Sequence, residues 1–184
     1  MIETTIVNVV ATAALHQKID LYDLKKFREI IHDPEIYGGR VAYFKSLKMK
    51  GKVSIFNSGK MISIGTKSEK GATHELQMAK KFLIDKGFVK PTGLECKICN
   101  IVATIDFGRR MNLEKLAEKY KIIYEPDQFP GGILRIEEPC KATILIFASG
   151  KTVVAGLTSQ VQIKRVIQKI SNMINSTINS LGGH

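Results

Sequence analysis

The 184-residue chain has no tryptophan, only three cysteines and five prolines, and no apolar run near the roughly 20 residues that a membrane-spanning helix needs. An odd number of cysteines, with no signal-peptide pattern at the N-terminus, argues against a disulfide-rich secreted domain. We therefore expect a soluble intracellular protein without a membrane segment. Its hydrophobic content of 44% is enough for one large domain or two small ones.

Acidic residues are the scarcer charge. The chain has 17 Asp and Glu against 28 Lys and Arg, which gives a formal net charge of +11 and an isoelectric point near 9.6. Such an excess predicts attraction to a polyanion, most often nucleic acid. The alternative is that the charge only keeps the protein in solution.

Residue patterns typical of enzymes are missing as well. The sequence has no Ser/His/Asp order, no glycine-rich phosphate loop and no close pair of carboxylates, because Glu137 and Glu138 are adjacent and diverge. We expect no enzymatic activity, no cofactor and no small-molecule substrate.

The segment "CKIC", residues 96–99, has the spacing of a zinc or redox site, which Cys140 with His32 or His74 could complete. However, residues three apart on a strand face opposite ways, and no second such pair exists. We therefore expect Cys96 and Cys99 to be structural thiols, with no metal site.

The chain is a tandem duplication. At an offset of 92 residues identical residues coincide: Asn8 with Asn100, Val10 with Val102, Thr12 with Thr104, Leu21 with Leu113 and Leu24 with Leu116. Beyond Gly39 and Gly131 the offset is 91, which predicts one extra residue in the first copy near its Lys-rich stretch. We expect a first repeat over residues 1–90 and a second over 91–184, each a small α+β unit, since the period is too long for a solenoid.

Each repeat has the same predicted order of elements. A strand (residues 6–12 and 98–105) precedes a short helix, whose apolar residues are Leu21, Leu24, Phe27 and Ile30 in one copy and Leu113, Leu116 and Tyr120 in the other. Strands joined by Ser-Gly turns follow. A long amphipathic helix ends each repeat, with stripes at Ala72, Leu76, Ala79 and Leu83 and at Ile163, Val166 or Ile167, Ile170 and Ile174.

Two helices per repeat can cover only one face of the predicted antiparallel sheet. Alternation places Asn8 and Val10 on one face and Val9 on the other, so both faces carry apolar residues. The uncovered face is therefore expected to be a binding surface.

These features resemble the TATA-box-binding protein family, saddle-shaped general transcription factors that bind the minor groove of DNA. The resemblance is carried by the paired "VNVVAT" and "CNIVAT", by "YEPDQFPGGILRIEEP", and by the paired "IFNSGKMISIGTKS" and "IFASGKTVVAGLTS". It covers nearly the whole chain, which lacks the N-terminal extension of many eukaryotic members and so is similar to archaeal ones. It implies an α+β fold: a pseudo-twofold tandem repeat forming one curved antiparallel sheet, with helices on the convex face.

The resemblance implies that the protein reads A·T base pairs of double-stranded promoter DNA. In the minor groove these pairs present only acceptors, whereas G·C pairs add the guanine amino group. Asparagine amides can donate to those acceptors; the alternative is an Asn satisfied by backbone at a strand end. The implied base-reading residues are Asn8, Val10, Asn100, Val102, Ile62, Ile64, Leu145, Val153 and Ala155.

Further contacts implied by the resemblance are wedges and phosphate-binding cations. Aromatic wedges inserted between base steps bend the DNA, a mechanism for which this family is itself the usual illustration. The implied wedges are Tyr37, Phe56, Phe129 and Phe147, although a lone Phe is more often a core residue. The implied phosphate ligands are Lys60, Lys67, Arg135 and Lys151. The Lys-rich run adds sequence-independent attraction or is a solvated loop; it consists of Lys45, Lys48, Lys50 and Lys52.

The acidic loop of the second repeat, with Glu125, Asp127 and Gln128, implies a protein partner. In the family this loop contacts transcription factor B, which recruits RNA polymerase; a solvated turn is the alternative. A cytoplasmic, nucleoid-associated location follows, or a nuclear one if the source is eukaryotic.

The first repeat departs from the family pattern. "IYGG" replaces Phe-Pro-Gly, Tyr43 replaces an arginine and Ser54 a leucine, and in both repeats a threonine that assists the Asn is replaced, by Ile64 and Ala155. We therefore expect weaker kinking by the first repeat and a looser preference for TATA. The alternative functions are a divergent regulator of the same fold, or a saddle module that serves a nucleic-acid enzyme.

Overall fold

A nine-stranded antiparallel sheet and four helices make up residues 2–179, which the computed structural model describes. The strands are hydrogen-bonded in the order β2-β3-β4-β5-β1-β6-β9-β8-β7. The elements are β1 (Glu3–Ala14), α1 (Leu21–Leu24), β2 (Ile30–Ile31), a 3-10 turn (Ile36–Gly39), β3 (Val41–Phe44), β4 (Lys52–Phe56), β5 (Lys60–Thr66), α2 (Glu69–Asp85), β6 (Cys96–Asp106), α3 (Leu113–Lys119), β7 (Gly131–Ile136), β8 (Ala142–Phe147), β9 (Lys151–Leu157) and α4 (Gln160–Asn179).

Two compact units divide the chain. The first unit is Asn8–Cys99, and the second combines the residues up to Val7 with those from Asn100 onward. Strands β1 and β6 therefore each contribute to both units. In the first, Thr12 Oγ1 lies 3.2 Å from Cys99 Sγ, and in the second, Thr104 Oγ1 donates to the Thr5 carbonyl at 3.5 Å.

The core of each unit lies between its helices and one face of its strands. Val9 and Ala11 of β1 are fully buried, whereas Asn8 and Val10 between them are only half-buried. The predicted stripe of α2 is fully buried, and α2 packs on β4 and β5. In α4 the stripe is confirmed at Ile163, Val166, Ile170 and Ile174. Each large aliphatic residue so buried contributes about 1.5–3 kcal/mol.

Side-chain caps fix where the helices begin. Ser68 Oγ accepts from Gly71 N at 3.0 Å before α2, and Asn112 Oδ1 accepts from Lys115 N at 2.8 Å before α3. At the start of α4, Gln162 Oε1 accepts from Thr158 N. None of the helices within residues 2–179 has the length and apolar character needed to cross a bilayer.

The predicted continuation of the first short helix to Ile30 is wrong. Helix α1 ends at Leu24, and Ile30 lies in β2 opposite Phe44 of β3. Phe27 packs edge-on against Phe82 of α2, with ring centroids 5.5 Å apart. The β-branched pair at 30–31 gains strand hydrogen bonds that a longer helix would forgo. In the second repeat α3 covers Leu113 and Leu116, and Tyr120 is its C-cap.

The predicted place of the length difference between the repeats is also wrong. Phe44 pairs with Val53 and Leu134 pairs with the equivalent Ile144, so eight residues separate the first pair and nine separate the second. The extra length of the first repeat, two residues, lies before β3. The net difference of one residue agrees with the prediction, but the correspondence between β3 residues and β7 residues differs from the predicted one.

Candidate nucleic-acid interface

Each unit has a sheet face that its helices do not cover, and the predicted base-reading residues lie on these two faces. Eight of the nine are half-buried, and Ile64 is 38% exposed. Ala155 lies opposite Thr143. The half-buried residues are Asn8, Val10, Ile62, Asn100, Val102, Leu145, Val153 and Ala155.

A row of directly paired residues crosses the uncovered face of each unit. In the second unit the row is almost wholly apolar: Thr104, Val153, Leu145, Ile133 and Ile123. In the first unit it is more polar: Thr12, Ile62, Ser54, Tyr43 and Ile31. The edge isoleucines Ile31 and Ile123 are exposed, and the sequence analysis missed them because it assigned no strand there.

These rows identify which residues of the two repeats are counterparts. Tyr43 lies opposite Ser54 just as Ile133 lies opposite Leu145, so Tyr43 is the counterpart of Ile133 and not of Arg135. The counterpart of Arg135 is Lys45. Both polar departures of the first repeat, Tyr43 and Ser54, are therefore neighbours in one row.

The two asparagines are held in the same way. Gly65 N donates to Asn8 Oδ1 at 2.9 Å in the first unit, and Gly156 N donates to Asn100 Oδ1 at 2.8 Å in the second. A backbone N–H can only donate, so the atom it meets must be the side-chain oxygen. Within residues 2–179 neither Nδ2 has a partner. Each Asn is thus satisfied by backbone on its oxygen side, and its amide hydrogens remain available as donors.

A β-bulge in the strand next to each asparagine makes these hydrogen bonds possible. The register of β1 with β5 shifts between Val9 and Ala11, and that of β6 with β9 shifts between Ile101 and Ala103. The extra residues are on β5 and β9, where Gly65 and Gly156 have φ of 97° and 96°. Such φ values favour glycine, and the conformation frees the glycine N–H from the ladder to meet the asparagine.

Two aromatic rings of the second unit form a braced pair. The centroids of Phe129 and Phe147 lie 5.8 Å apart at an interplanar angle of 63°. Both rings rest on Gly131: a Cβ there would be 2.8 Å from the Phe129 ring and 3.0 Å from the Phe147 ring. Phe129 is set by the turn before it, where its N–H donates to Glu125 O at 2.9 Å. Both rings are only half-buried.

The first unit lacks this pair. Phe56 lies opposite Val41, as Phe147 lies opposite Gly131, so a buried valine side chain fills the space that the second unit leaves for a ring. Tyr37 is 74% exposed with φ of 51° in the 3-10 turn, and among the described side chains no aromatic ring packs against it. The structure therefore brings Phe129 and Phe147 together but does not bring Tyr37 to Phe56.

The predicted phosphate ligands are exposed cations without acidic partners. Lys60, Lys67, Arg135 and Lys151 are all exposed. In the part of the chain that the structure describes, the ion pairs are Arg28–Glu29 and Lys81–Asp85, and neither includes any of the four. Their charges are not neutralised by the protein, as phosphate binding requires.

Equivalent depressions in the two units differ in charge. In the second unit Lys151 shares a depression with Glu3 and Asp106. In the first unit Lys60 shares one with Lys97 and Glu95. Lys97 is a candidate phosphate ligand that the sequence analysis missed; its repeat counterpart is Thr5, so the duplication gave no signal. The first unit therefore presents the more positive surface beside its uncovered face.

The acidic loop is a short exposed turn. Glu125 O accepts from both Gln128 N and Phe129 N, and the side chains of Glu125, Asp127 and Gln128 are all exposed. The turn that places the Phe129 ring thus also presents these polar groups.

The cysteines of "CKIC" do not converge. Both lie on β6, and no group of three His, Cys, Asp or Glu side chains within residues 2–179 is arranged to hold a metal ion. Burial raises the pKa of the Cys96 thiol, against a lowering by Lys80, and burial likewise raises the pKa of the Cys140 thiol. Both thiols therefore favour the protonated form, which is a poor metal ligand.

Known proteins are similar to this chain over most of its length. A family profile described as "Transcription factor TFIID (or TATA-binding protein, TBP)" matches residues 3–83 and 95–177. The "TATA-box-binding protein" of Methanocaldococcus jannaschii is 37% identical over 174 residues, 94% of this chain and 93% of that protein. Its namesake from Cenarchaeum symbiosum is 35% identical over 161 residues, 87% of each chain. The solved structure "Methanococcus jannaschii TBP" matches with a TM-score of 0.84 and 35% identity, covering 95% of this chain and 99% of that one.

Proposed function

Because the chain belongs to the TATA-box-binding protein family, we propose that it is a transcription factor that binds the minor groove of A·T-rich promoter DNA. Family membership places it with DNA-binding factors and not with enzymes. The observation that carries the proposal is the shared geometry of Asn8 and Asn100. Each side-chain oxygen is bound by a backbone N–H, so each Nδ2 is turned out as a donor toward a groove that offers acceptors.

Base reading would combine these donors with the apolar residues around them. Val10, Ile62 and Ile64 in the first unit, and Val102, Leu145, Val153 and Ala155 in the second, present no hydrogen-bonding side-chain group. A guanine amino group pressed against such a surface would lose its water without gaining a partner, which costs about 1–3 kcal/mol. G·C pairs are thereby disfavoured.

Bending of the DNA is proposed to depend mainly on the second unit. Its Phe129 and Phe147 form a braced and partly exposed pair, whereas Phe56 of the first unit has Val41 beside it and Tyr37 projects alone. Inserting an aromatic wedge unstacks a base step at a cost of a few kcal/mol, and a braced ring loses less side-chain freedom on insertion. The first unit would contribute more through charge.

We also propose protein partners for the exposed turn. Glu125, Asp127 and Gln128 form an acidic surface that fits contact with transcription factor B, through which RNA polymerase would be recruited. A nucleoid-associated location in the cytoplasm would follow from that role. The turn also sets Phe129, so partner binding and wedge position would be linked.

A second candidate is a divergent regulator of the same fold with weakened TATA specificity. The polar row and the valine beside Phe56 in the first unit favour it. Both candidates bind DNA, and they differ in the ratio of affinities for A·T-rich and G·C-containing sites.

The experiment that tests the proposal is a titration of two fluorescent duplexes at several salt concentrations. One duplex carries a TATA element, and the other has the centre of that element changed to G·C. We expect tighter binding to TATA, with a preference that persists as salt rises, because base contacts depend little on counterion release. Equal affinities that collapse together with salt would show that only the positive charge is at work.

Alanine at Lys60 or Lys151 should weaken binding to both duplexes equally. The slope of log K against log salt is negative. Each substitution should make it shallower by about 0.9, the value for one phosphate contact on duplex DNA. Lys115→Ala on α3 is the matched control, since Lys115 is exposed on a helix. A slope unchanged in the Lys60 and Lys151 variants would remove these two residues from the phosphate-binding set.

A further inference from the structure

The loop of residues 45–51, between β3 and β4, has an unusual tip. Leu47 is 100% exposed, more than any other large hydrophobic residue in the part of the chain that the structure describes. Lys48 and Lys50, which follow Leu47 in the chain, are exposed as well. A single exposed leucine is common on protein surfaces, so the tip alone indicates no function.

The conformation of this loop is fixed from inside. The ammonium of Lys45 donates to the carbonyls of Met49 (2.9 Å), Lys50 (2.8 Å) and Gly51. Ser46 N donates to the sulfur of Met49, whose side chain is buried. The loop therefore holds Leu47 in one place before any partner arrives, and such preorganisation lowers the entropy that binding must overcome.

A buried carboxylate supports the loop from helix α2. Glu75 is 4% exposed, and its Oε1 accepts from Lys50 N at 2.9 Å and from Gly51 N at 2.8 Å, while Oε2 is buried without a partner. Burying a carboxylate is costly. At the equivalent position of α4 the chain has Val166, so a buried carboxylate is present at this position only in the unit that contains the loop of residues 45–51.

The equivalent loop of the second unit has the opposite charge. Residues 137–141, between β7 and β8, include exposed Glu137 and Glu138 and no exposed large hydrophobic residue. The two copies of one ancestral loop have thus diverged, one toward lysines with a leucine tip and the other toward glutamates. A surface needed only for solubility would not require a buried support in one copy.

We propose that the loop of residues 45–51 is a docking site for an acidic segment of a partner protein that carries an apolar side chain. Leu47 would contact the apolar side chain, and Lys48 and Lys50 would pair with carboxylates around it. The depression beside the loop is also lined by Arg28 and Glu29. Glu29 is the one carboxylate among its lining residues, and Glu29 Oε1 lies 3.5 Å from Arg28 Nε. The Lys45 ammonium is already bound by carbonyls and acts as a positioning group.

An acidic segment fits the loop better than a DNA backbone does. Phosphates would pair with the lysines, but Leu47 would add no binding free energy, because an apolar side chain gains none beside a charged backbone. Truncating a central apolar contact in a protein interface typically costs 1 kcal/mol or more. The effect of Leu47 on binding therefore separates the two ligands.

The test uses a fluorescein-labelled 15-residue peptide in which Asp and Glu flank a central Leu-Phe pair, followed by fluorescence anisotropy with the full chain. Leu47→Ala should weaken binding about fivefold or more, and Lys48→Glu with Lys50→Glu should abolish it. Replacing Leu-Phe in the peptide by Ser-Ser should have the same effect as Leu47→Ala. The matched controls on α4, Val161→Ala and Lys164→Glu, should leave the affinity unchanged.

Glu75 provides a second variant that does not touch the peptide. Glu75→Gln keeps an oxygen that can accept from Lys50 N and Gly51 N, so it should retain affinity, whereas Glu75→Ala should weaken it by releasing the loop. Equal affinities of Leu47→Ala and the unaltered protein, or no binding of the peptide at all, would overturn the proposal. So would a double Lys variant that lowers the salt slope of duplex binding while Leu47→Ala changes nothing, since the loop would then be a backbone contact.

Discussion

Replacing both Asn8 and Asn100 by aspartate should abolish the preference for a TATA duplex over its G·C variant. A carboxylate oxygen can accept the same bonds from Gly65 N and Gly156 N, so the native contacts are kept. The variant lacks the amide donors and places two negative charges against an acceptor-lined groove. Losing two such hydrogen bonds at 1–2 kcal/mol each should reduce the ratio of the two dissociation constants about 100-fold.

The control for charge is Asn172→Asp, because Asn172 is exposed on α4. This variant should keep the affinity ratio of the unaltered protein. The double alanine variant, Asn8→Ala with Asn100→Ala, separates loss of the donors from repulsion: it should lose the preference but bind the G·C duplex more tightly than the aspartate variant does. If the aspartate variant retained its preference for TATA, the asparagines would not be the readers.

The sequence could single out these asparagines as candidate base readers, but it could not predict their orientation. Repetition of Asn in the same place of two β-branched strands is a local signal, and it is visible in the letters. Which amide atom points outward depends on a bulge at Gly65 and Gly156 in the neighbouring strands, more than 50 residues away along the chain. Strand register of that kind is decided by tertiary pairing.

Register also explains where the sequence prediction of the first repeat failed. Gly39 was matched with Gly131 at an offset of 92, so the length difference was placed after these two glycines. Val41 pairs with Phe56 as Gly131 pairs with Phe147, so Val41 is the counterpart of Gly131 and the length difference lies before β3. Similarly, Ile30 has helical spacing from Leu24 and Phe27, and only the presence of β3 beside it makes a strand the better solution.

The same register accounts for the most consequential difference between the units. Val41 stands where the second unit has Gly131, a relation that no offset in the sequence suggested. Glycine at that position is required because two rings lie within 3.0 Å of where a Cβ would be. The sequence predicted four wedges, with weaker kinking by the first repeat; the structure has one braced pair in the second unit and two separate aromatic residues in the first.

The braced pair should therefore dominate the energy of bending. Phe147→Ala should weaken binding to the TATA duplex about 100-fold, since it removes a wedge worth a few kcal/mol and leaves Phe129 without its neighbour. Tyr37→Ala, which removes the exposed aromatic ring of the first unit, should weaken binding less than about threefold, because an unsupported and largely exposed ring must be ordered before it can insert. Fluorescence anisotropy gives the affinities, and energy transfer between dyes on the two ends of the duplex gives the bend.

Gly131→Ala tests bracing without removing an aromatic group. The added methyl would lie 2.8 Å from the Phe129 ring and 3.0 Å from the Phe147 ring, so both rings must move. We expect a loss of bending close to that of Phe147→Ala, with a salt slope unchanged because the cations are untouched. Val41→Gly makes the reciprocal change beside Phe56 and should not weaken bending. If Tyr37→Ala and Phe147→Ala proved equally damaging, the two units would insert their wedges equivalently, and the valine beside Phe56 would have no bearing on how the DNA is bent.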